Sequence, residues 1–405
     1  MYKRVYATRQ QRSATRRLDF LTLRHLRPCT IVEDVVNTDQ CVLLAILASH
    51  DALLKFYQER ATVVDTGDSG AIFSVAFHPD GTHLSSGSML GVRRWRLADC
   101  QEAGNQIEMD LNAFSVSMDN RWIVCGTIAH GAGVWDAITE QKMFQVEGTK
   151  AVVVVDISLD ATMFATGTAR PDNKASIWDI ATGERKFRPL QHDSIIAGIK
   201  FSPNDGERLA TACRESIRLF DSRNGDQLQV ITVMPAVAMQ SRITPFVWSV
   251  DGQQIFALST DNKIKSFKSS AGIKLAESQI KTNTAEDIVS IALASNGKFI
   301  AAFADRSVTF WDTSTFSQIG PVIEDTEQVR SIAVSPDCTN LATGGSYGRI
   351  TIHNLGDILP DTFGPFYVSI HAFTVSACPC QPLDTNLDWK HSRLHRSDSS
   401  GSLRH

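Results

Sequence analysis

One acid interrupts the apolar run Val152-Val-Val-Val-Asp-Ile157, so Asp156 is the first residue to test for chemistry. Carboxylate acid–base catalysis needs two such groups in complementary protonation states. With no second acid in an equivalent run, Asp156 is expected to stay hydrated at a strand end or to accept a backbone N–H. Cys378-Pro-Cys380, with His371, His391 and His395 nearby, offers zinc-ligand types. Zinc requires four ordered ligands, and one close Cys pair beside a Ser-, Arg- and His-rich tail does not supply them. No His-Glu-X-X-His, no Gly-X-Ser-X-Gly, no dinucleotide-binding glycine loop and no phosphate-cradling G-x-x-x-x-G-K-[ST] occurs. The reading is therefore no catalyst, no metal and no cofactor. Trp95, Trp135, Trp178 and Trp311 invite a ligand-stacking role. Their spacing argues for a core role, because all four fall at one position of an internal repeat.

Two marks define that repeat. The first is a short apolar strand ending in a turn: Phe77-His-Pro-Asp-Gly81, Val116-Ser-Met-Asp-Asn120, Ile157-Ser-Leu-Asp160, Phe201-Ser-Pro-Asn-Asp-Gly206, Trp248-Ser-Val-Asp-Gly252, Leu293-Ala-Ser-Asn-Gly297 and Val334-Ser-Pro-Asp337. The second is an aromatic or its stand-in, often followed by Asp: Trp95, Trp135, Trp178, Phe220, Phe267, Trp311 and His353. The second mark trails the first by 18 to 21 residues, and successive first marks lie 39 to 47 residues apart. A fainter copy precedes them, with Val36 as the turn mark and Tyr57 as the aromatic, 21 residues later and 41 residues before Phe77.

Each copy reads as three strands separated by tight turns, plus a weaker fourth strand leading onward. Residues 327–355 illustrate this with Val329 to Val334, Leu341 to Thr343 and Ile350 to Leu355. Pro and Gly stand in the turns, where a missing N–H or a positive φ is tolerated. A unit of this size cannot bury both faces alone, so the copies must stack on one another.

The Ser-Pro-Asp-Gly turns, the Leu-Ala-Thr-Gly strands and the Trp-Asp ends resemble the WD-repeat β-propeller family, in the divergent form found in fungi. The resemblance covers residues from about 30 to 360 and implies an all-β fold, a single propeller of four-stranded antiparallel blades. Eight blades are expected, or seven if residues 30–60 pack outside the ring. The family's His, Ser, Asp and Trp tetrad is carried only in parts. His192 stands where its Gly-His would, and Asp51, Asp172, Asp261 and Asp305 stand where its turn Asp would. No blade holds both, since the blade of His192 has Arg214 at the Asp position.

Outside the repeats, residues 1–17 read as a disordered basic arm and 371–405 as a disordered tail, with the propeller spanning 18–370. Leu18 to Leu23 or Phe366 to Ile370 is expected to close the ring. The 405 residues carry a net −4, yet the first 27 hold eight Lys or Arg against Asp19 alone, leaving −11 on the remainder. So acidic a body repels phosphate and makes a poor non-specific nucleic-acid binder. The longest strictly apolar run, Cys41 to Ala48, is far short of a membrane span. Eight scattered cysteines and the absence of Asn-X-Ser/Thr fit a reducing, cytoplasmic or nuclear setting. Organelle import by the basic start is the alternative.

What remains is surface. The loops between second and third strands hold Met89, His130, Arg170, Arg214, Arg306 and Tyr347, and Arg, Tyr and Met are enriched at interface centres. The expected function is a non-catalytic platform binding a protein or peptide, acidic or phosphorylated, on the rim. The alternative is a propeller-fold hydrolase using channel carboxylates.

Overall fold

The computed structural model describes residues 61–364, apart from 69, 147–150, 205, 214–215, 234–245, 260–262 and 280–289. Among the described residues the strands form seven four-stranded antiparallel sheets. Six are continuous in sequence, over 74–108, 111–146, 152–191, 198–232, 246–279 and 290–324, and are numbered blades 1 to 6. Blade 7 joins Val329–Val334, Asn340–Gly345 and Arg349–Asn354 to a strand from the other end, Thr62–Asp65. The first strands of neighbouring blades pack on one another all the way round, blade 7 on blade 1 included, so the first strands line the centre and the fourth strands the periphery.

Both repeat marks have a geometric meaning. Every first strand ends on its marked residue, from Phe77 to Val334, and every third strand carries its marked aromatic one residue before its end. In blades 2, 3, 5 and 7 the turn after the first strand is encoded locally by Ser-X-Asp. In blade 5, Ser249 Oγ donates to Asp251 Oδ1 (2.5 Å) and accepts from the Gln254 N–H (2.8 Å), while the Gln253 N–H donates to Asp251 Oδ1 (3.0 Å). The Asp after Trp135 does the same for the next turn: N–H groups of Ile138 and Thr139 donate to Asp136 Oδ1 at 2.9 and 2.7 Å. Led by the Thr139 bond, these hold the Asp136 carboxyl below its ordinary value.

Eight blades, the number expected from Val36 and Tyr57, do not fit this ring. Blade 7 lies directly against blade 1, with no place for a sheet between them. The outer position that Leu18 to Leu23 or Phe366 to Ile370 was expected to fill is held by Thr62–Asp65, paired through Thr62 with Ile352 and Val64 with Ile350. Residues 30–60 and both expected closing strands lie outside the described residues, as do the basic arm and the tail.

The core sits between blades. Val124, Val134 and Val146 of blade 2 pack with Val155, Phe164 and Trp178 of blade 3. Leu219 and Ile231 of blade 4 likewise pack with Phe246, Trp248 and Phe267 of blade 5. This inter-blade burial is the physical reason that one slot per copy is aromatic: it must reach across to the neighbour. Among the described residues no helix is long and apolar enough to cross a membrane.

Candidate functional site

The antiparallel order gives the ring two faces. Turns between second and third strands, together with the links from blade to blade, lie on one, here the upper face. Turns between first and second and between third and fourth strands lie on the lower. Met89, His130, Arg170, Arg306 and Tyr347 all fall on second-to-third turns of blades 1, 2, 3, 6 and 7. All five are exposed, Tyr347 at 72% and Met89 at 54%. Backbone bonds fix the turns: the His130 N–H donates to Thr127 Oγ1 (2.9 Å) and the Tyr347 N–H to Glu327 Oε2 (2.9 Å). Arg214 lies outside the described residues.

Beneath that face the tetrad positions have been refilled. Trp95, Trp178 and Trp311 are buried and each donates its indole N–H to a hydroxyl, of Ser86 (2.8 Å), Thr166 (3.0 Å) and Thr309 (3.1 Å). In blade 4, His192 Nε2 pairs with Thr211 Oγ1 at 2.8 Å and Nδ1 with the Leu190 carbonyl at 3.0 Å, with the ring edge-on to Phe220. Sequence reasoning missed Asp68 and Asp325, which stand nine residues before Phe77 and Val334 as His192 does before Phe201. The shared offset is the signal that would have found them. Asp325 accepts from Thr343 Oγ1 (2.6 Å), and Asp68 accepts from Ser88 Oγ (2.8 Å) and faces Arg93 Nη2 (3.2 Å). In blade 7 the aromatic slot is His353, buried with neither ring nitrogen hydrogen-bonded among the described residues.

Burial pushes the His192 imidazole down to about 4, from 6.5 when unfolded. The unfolded chain therefore takes up this proton first as pH falls. The stability of neutral His192 is complete above pH 6.5 and drains away toward pH 4, by about 3 kcal/mol. His78 and His353, also lowered by burial, act in the same direction. Urea unfolding at pH 7.5 and 4.5 is expected to show a shallower pH slope for His192→Gln than for the wild type; equal slopes would remove His192 from this account.

Asp156 is not aimed at open solvent. It is buried, with Oδ1 2.6 Å from Lys200 Nζ and Oδ2 accepting the Phe201 N–H at 2.9 Å. Both oxygens are used to tie blade 3 to blade 4, matching the expected backbone-accepting role. Cys378, Cys380 and their histidines lie outside the described residues. Among the described residues no three His, Cys, Asp or Glu side chains are grouped to hold a metal.

Seven four-stranded blades and the Trp–hydroxyl bonds agree with what sequence comparison finds. Residues 61–91, 277–312 and 318–354 match the family model described as WD domain, G-beta repeat. The chain is a WD-repeat β-propeller. The match on residues 61–91 runs from the closing strand into blade 1, that on 277–312 from the fourth strand of blade 5 to the third of blade 6, and that on 318–354 from the fourth strand of blade 6 to the third of blade 7. Eukaryotic translation initiation factor 3 subunit I of Danio rerio is 26% identical over 225 residues, covering 53% of this chain and 66% of the relative. Small ribosomal subunit protein RACK1 of Drosophila melanogaster is 29% identical over 178 residues, covering 42% of this chain and 55% of the relative. The WD-repeat chain thus spans less than two thirds of the length of either relative. Among solved structures, the β-propeller domain of Myceliophteria thermophila Cps50 (Swd1) superposes with a TM-score of 0.62 at 18% identity, over 73% of this chain and 99% of that one. That likeness is one of fold.

Proposed function

We propose that this propeller is a non-catalytic platform that binds a protein or peptide partner, acidic or phosphorylated, on its upper rim. One observation carries the reading. The side chains of His130, Arg170, Arg306 and Tyr347 stand exposed on equivalent turns of one face, and none has a hydrogen-bond or ion-pair partner among the described residues. Arginine forks so displayed suit bidentate pairing with carboxylate or phosphate, and tyrosine adds stacking. The names of the two relatives each denote a component of a larger assembly, a setting in which a propeller meets other proteins. The hydrolase reading gains nothing from Asp156, whose carboxylate is engaged by Lys200 and Phe201.

The test is affinity capture with tagged wild type and the Arg214→Glu/Arg306→Glu double variant. An exposed loop change such as Arg306→Glu shifts stability by only about 0.5 kcal/mol. Loss of the captured partners with an unchanged circular dichroism melt is expected. Equal recovery of the same partners by a folded double variant would reject the upper rim as the binding face.

A further inference from the structure

The lower face repeats one position, the second residue past the end of each first strand, half-buried in blades 1, 4 and 7 and exposed in blades 2, 3, 5 and 6. Blades 1, 4 and 7 place Pro79, Pro203 and Pro336 there, and blade 6 places Ser295. Proline is the residue this turn favours, because it presets φ and the N–H is not needed. Blades 2, 3 and 5 instead present Met118, Leu159 and Val250, which are 57, 43 and 46% exposed. Nothing in the turn requires these side chains. Further out on the same face, Ile138 of blade 2 and Ile273 of blade 5 are also exposed. Lone exposed apolar residues need no explanation, whereas a contiguous group does. From blade 3 to blade 6 the turns abut one another: a Cβ on Gly206 would lie 3.6 Å from Ser158 Cβ, one on Gly252 3.7 Å from Pro203 Cδ, and one on Gly297 3.1 Å from Val250 Cγ2.

The neighbouring arc shows how this face is covered. Across blades 6 and 7 the chain's own residues 355–364 lie over it. Asn296 Nδ2 and Lys298 Nζ donate to the Phe363 and Thr362 carbonyls, both at 2.9 Å, and Ile358 and Leu359 are buried in the core cluster there. Blades 2 to 5 have no such cover among the described residues.

Charge selects what fits. Met118, Leu159 and Val250 are each followed by an aspartate, Asp119, Asp160 and Asp251, whereas Ile138 and Ile273 further out are not. Turn bonds from Ser117 and Ser249 occupy Oδ1 of Asp119 and Asp251, leaving Oδ2 without a hydrogen bond among the described residues. The Ser249 hydroxyl and the Gln253 N–H hold Asp251 below its ordinary carboxyl value, so it is ionised at neutral pH. The arginines of these turns are engaged elsewhere. Arg121 lies over Trp122, and Arg208 lies over Trp248 while donating to Ser269 Oγ and the Gly252 carbonyl.

We propose that the lower face of blades 2 to 5 docks a basic, apolar segment of a partner protein, setting Leu, Ile or Phe on Met118, Leu159 and Val250 and Lys or Arg on the intervening aspartates. This surface is opposite the upper rim and independent of it.

A fluorescent amphipathic peptide built only of Leu and Lys, titrated onto the full chain, tests the proposal against a Leu and Glu counterpart. The wild type is expected to bind the Lys peptide alone, with affinity falling as salt is added. Met118→Ser/Leu159→Ser/Val250→Ser, which installs the blade 6 residue, is expected to bind at least about tenfold more weakly. Asp119→Asn/Asp251→Asn is expected to weaken binding and flatten its salt dependence. Arg306→Glu on the upper rim is expected to change nothing, which separates this surface from the rim. If the serine variant unfolds, the corresponding proline variant, carrying the residue of blades 1, 4 and 7, replaces it. Equal binding of both peptides, no binding by the wild type, or full binding by a folded triple variant would overturn the proposal.

Discussion

Replacing Trp178 by alanine is expected to cost roughly 3–5 kcal/mol, against a total stability of about 5–15 kcal/mol for a folded domain. The indole is buried between blades 2 and 3. It stacks on Phe164 at 6.1 Å with the planes 13° apart, donates to Thr166 Oγ1, and carries the Arg185 guanidinium 4.5 Å above its ring. Truncation removes all three contacts and opens a cavity that Phe164 and Val134, both fully buried, have little freedom to fill. Trp178→Phe, which copies the aromatic of blades 4 and 5, keeps the stacking surface and loses the indole hydrogen bond, so about 1–2 kcal/mol is expected. Urea unfolding followed by far-ultraviolet circular dichroism measures both. An alanine variant with the wild-type midpoint would mean that Trp178 does not carry the blade 2–blade 3 interface.

The same slot shows what a sequence can and cannot disclose. The Trp and Phe positions were legible because the interaction that selects them recurs at fixed offsets from a turn. That turn is itself written in contiguous residues, Ser-X-Asp with its own internal hydrogen bonds. His353 was legible as a member of the series even though it is no aromatic hydrocarbon, because Val334 and the turn preceding it fix its place. Blade number was not legible in this way. Repeat copies report units, whereas closure is a pairing between Thr62–Asp65 and Arg349–Asn354 at opposite ends of the described chain. Four residues of β-branched and acidic type carry no local sign of such a partner. The spacing from Val36 to Tyr57 then imitated a further unit. The acids at Asp68 and Asp325 escaped for a related reason. The family pattern directs attention to histidine at that offset, while the physical need is only for a buried acceptor that meets a strand hydroxyl. The five described rim residues fall on second-to-third turns because loop position follows from strand order. Their role does not follow, since exposure alone does not distinguish a contact from a solvated side chain.

Closure supplies the second large effect, and its two adjacent valines give opposite predictions. Val64 points inward and is buried with Ile72, Val75, Leu84 and Ile350, whereas Val63 is exposed on the outer face of the same strand. Val64→Asp places an uncompensated charge where blade 7 meets blade 1, at a cost of about 3–5 kcal/mol. Val63→Asp is expected to change stability by no more than about 0.5 kcal/mol. The surrounding stitches make the site intolerant of adjustment. The Thr66 N–H and hydroxyl both donate to the Gly348 carbonyl, at 3.0 and 2.7 Å, and Ser331 Oγ donates to the Ile72 carbonyl at 2.9 Å. Gly348 itself sits at φ +80° with no room for a side chain, since a Cβ would lie 1.9 Å from the Asp68 carbonyl oxygen. Losing the Thr62–Asp65 pairing would expose the edge of Arg349–Asn354 and the cluster beneath it, so Val64→Asp should also raise protease sensitivity and promote association through the open edge. Unfolding curves and limited proteolysis of the two variants, run side by side, decide the matter. A Val64→Asp protein as stable as Val63→Asp would show that this strand does not close the ring.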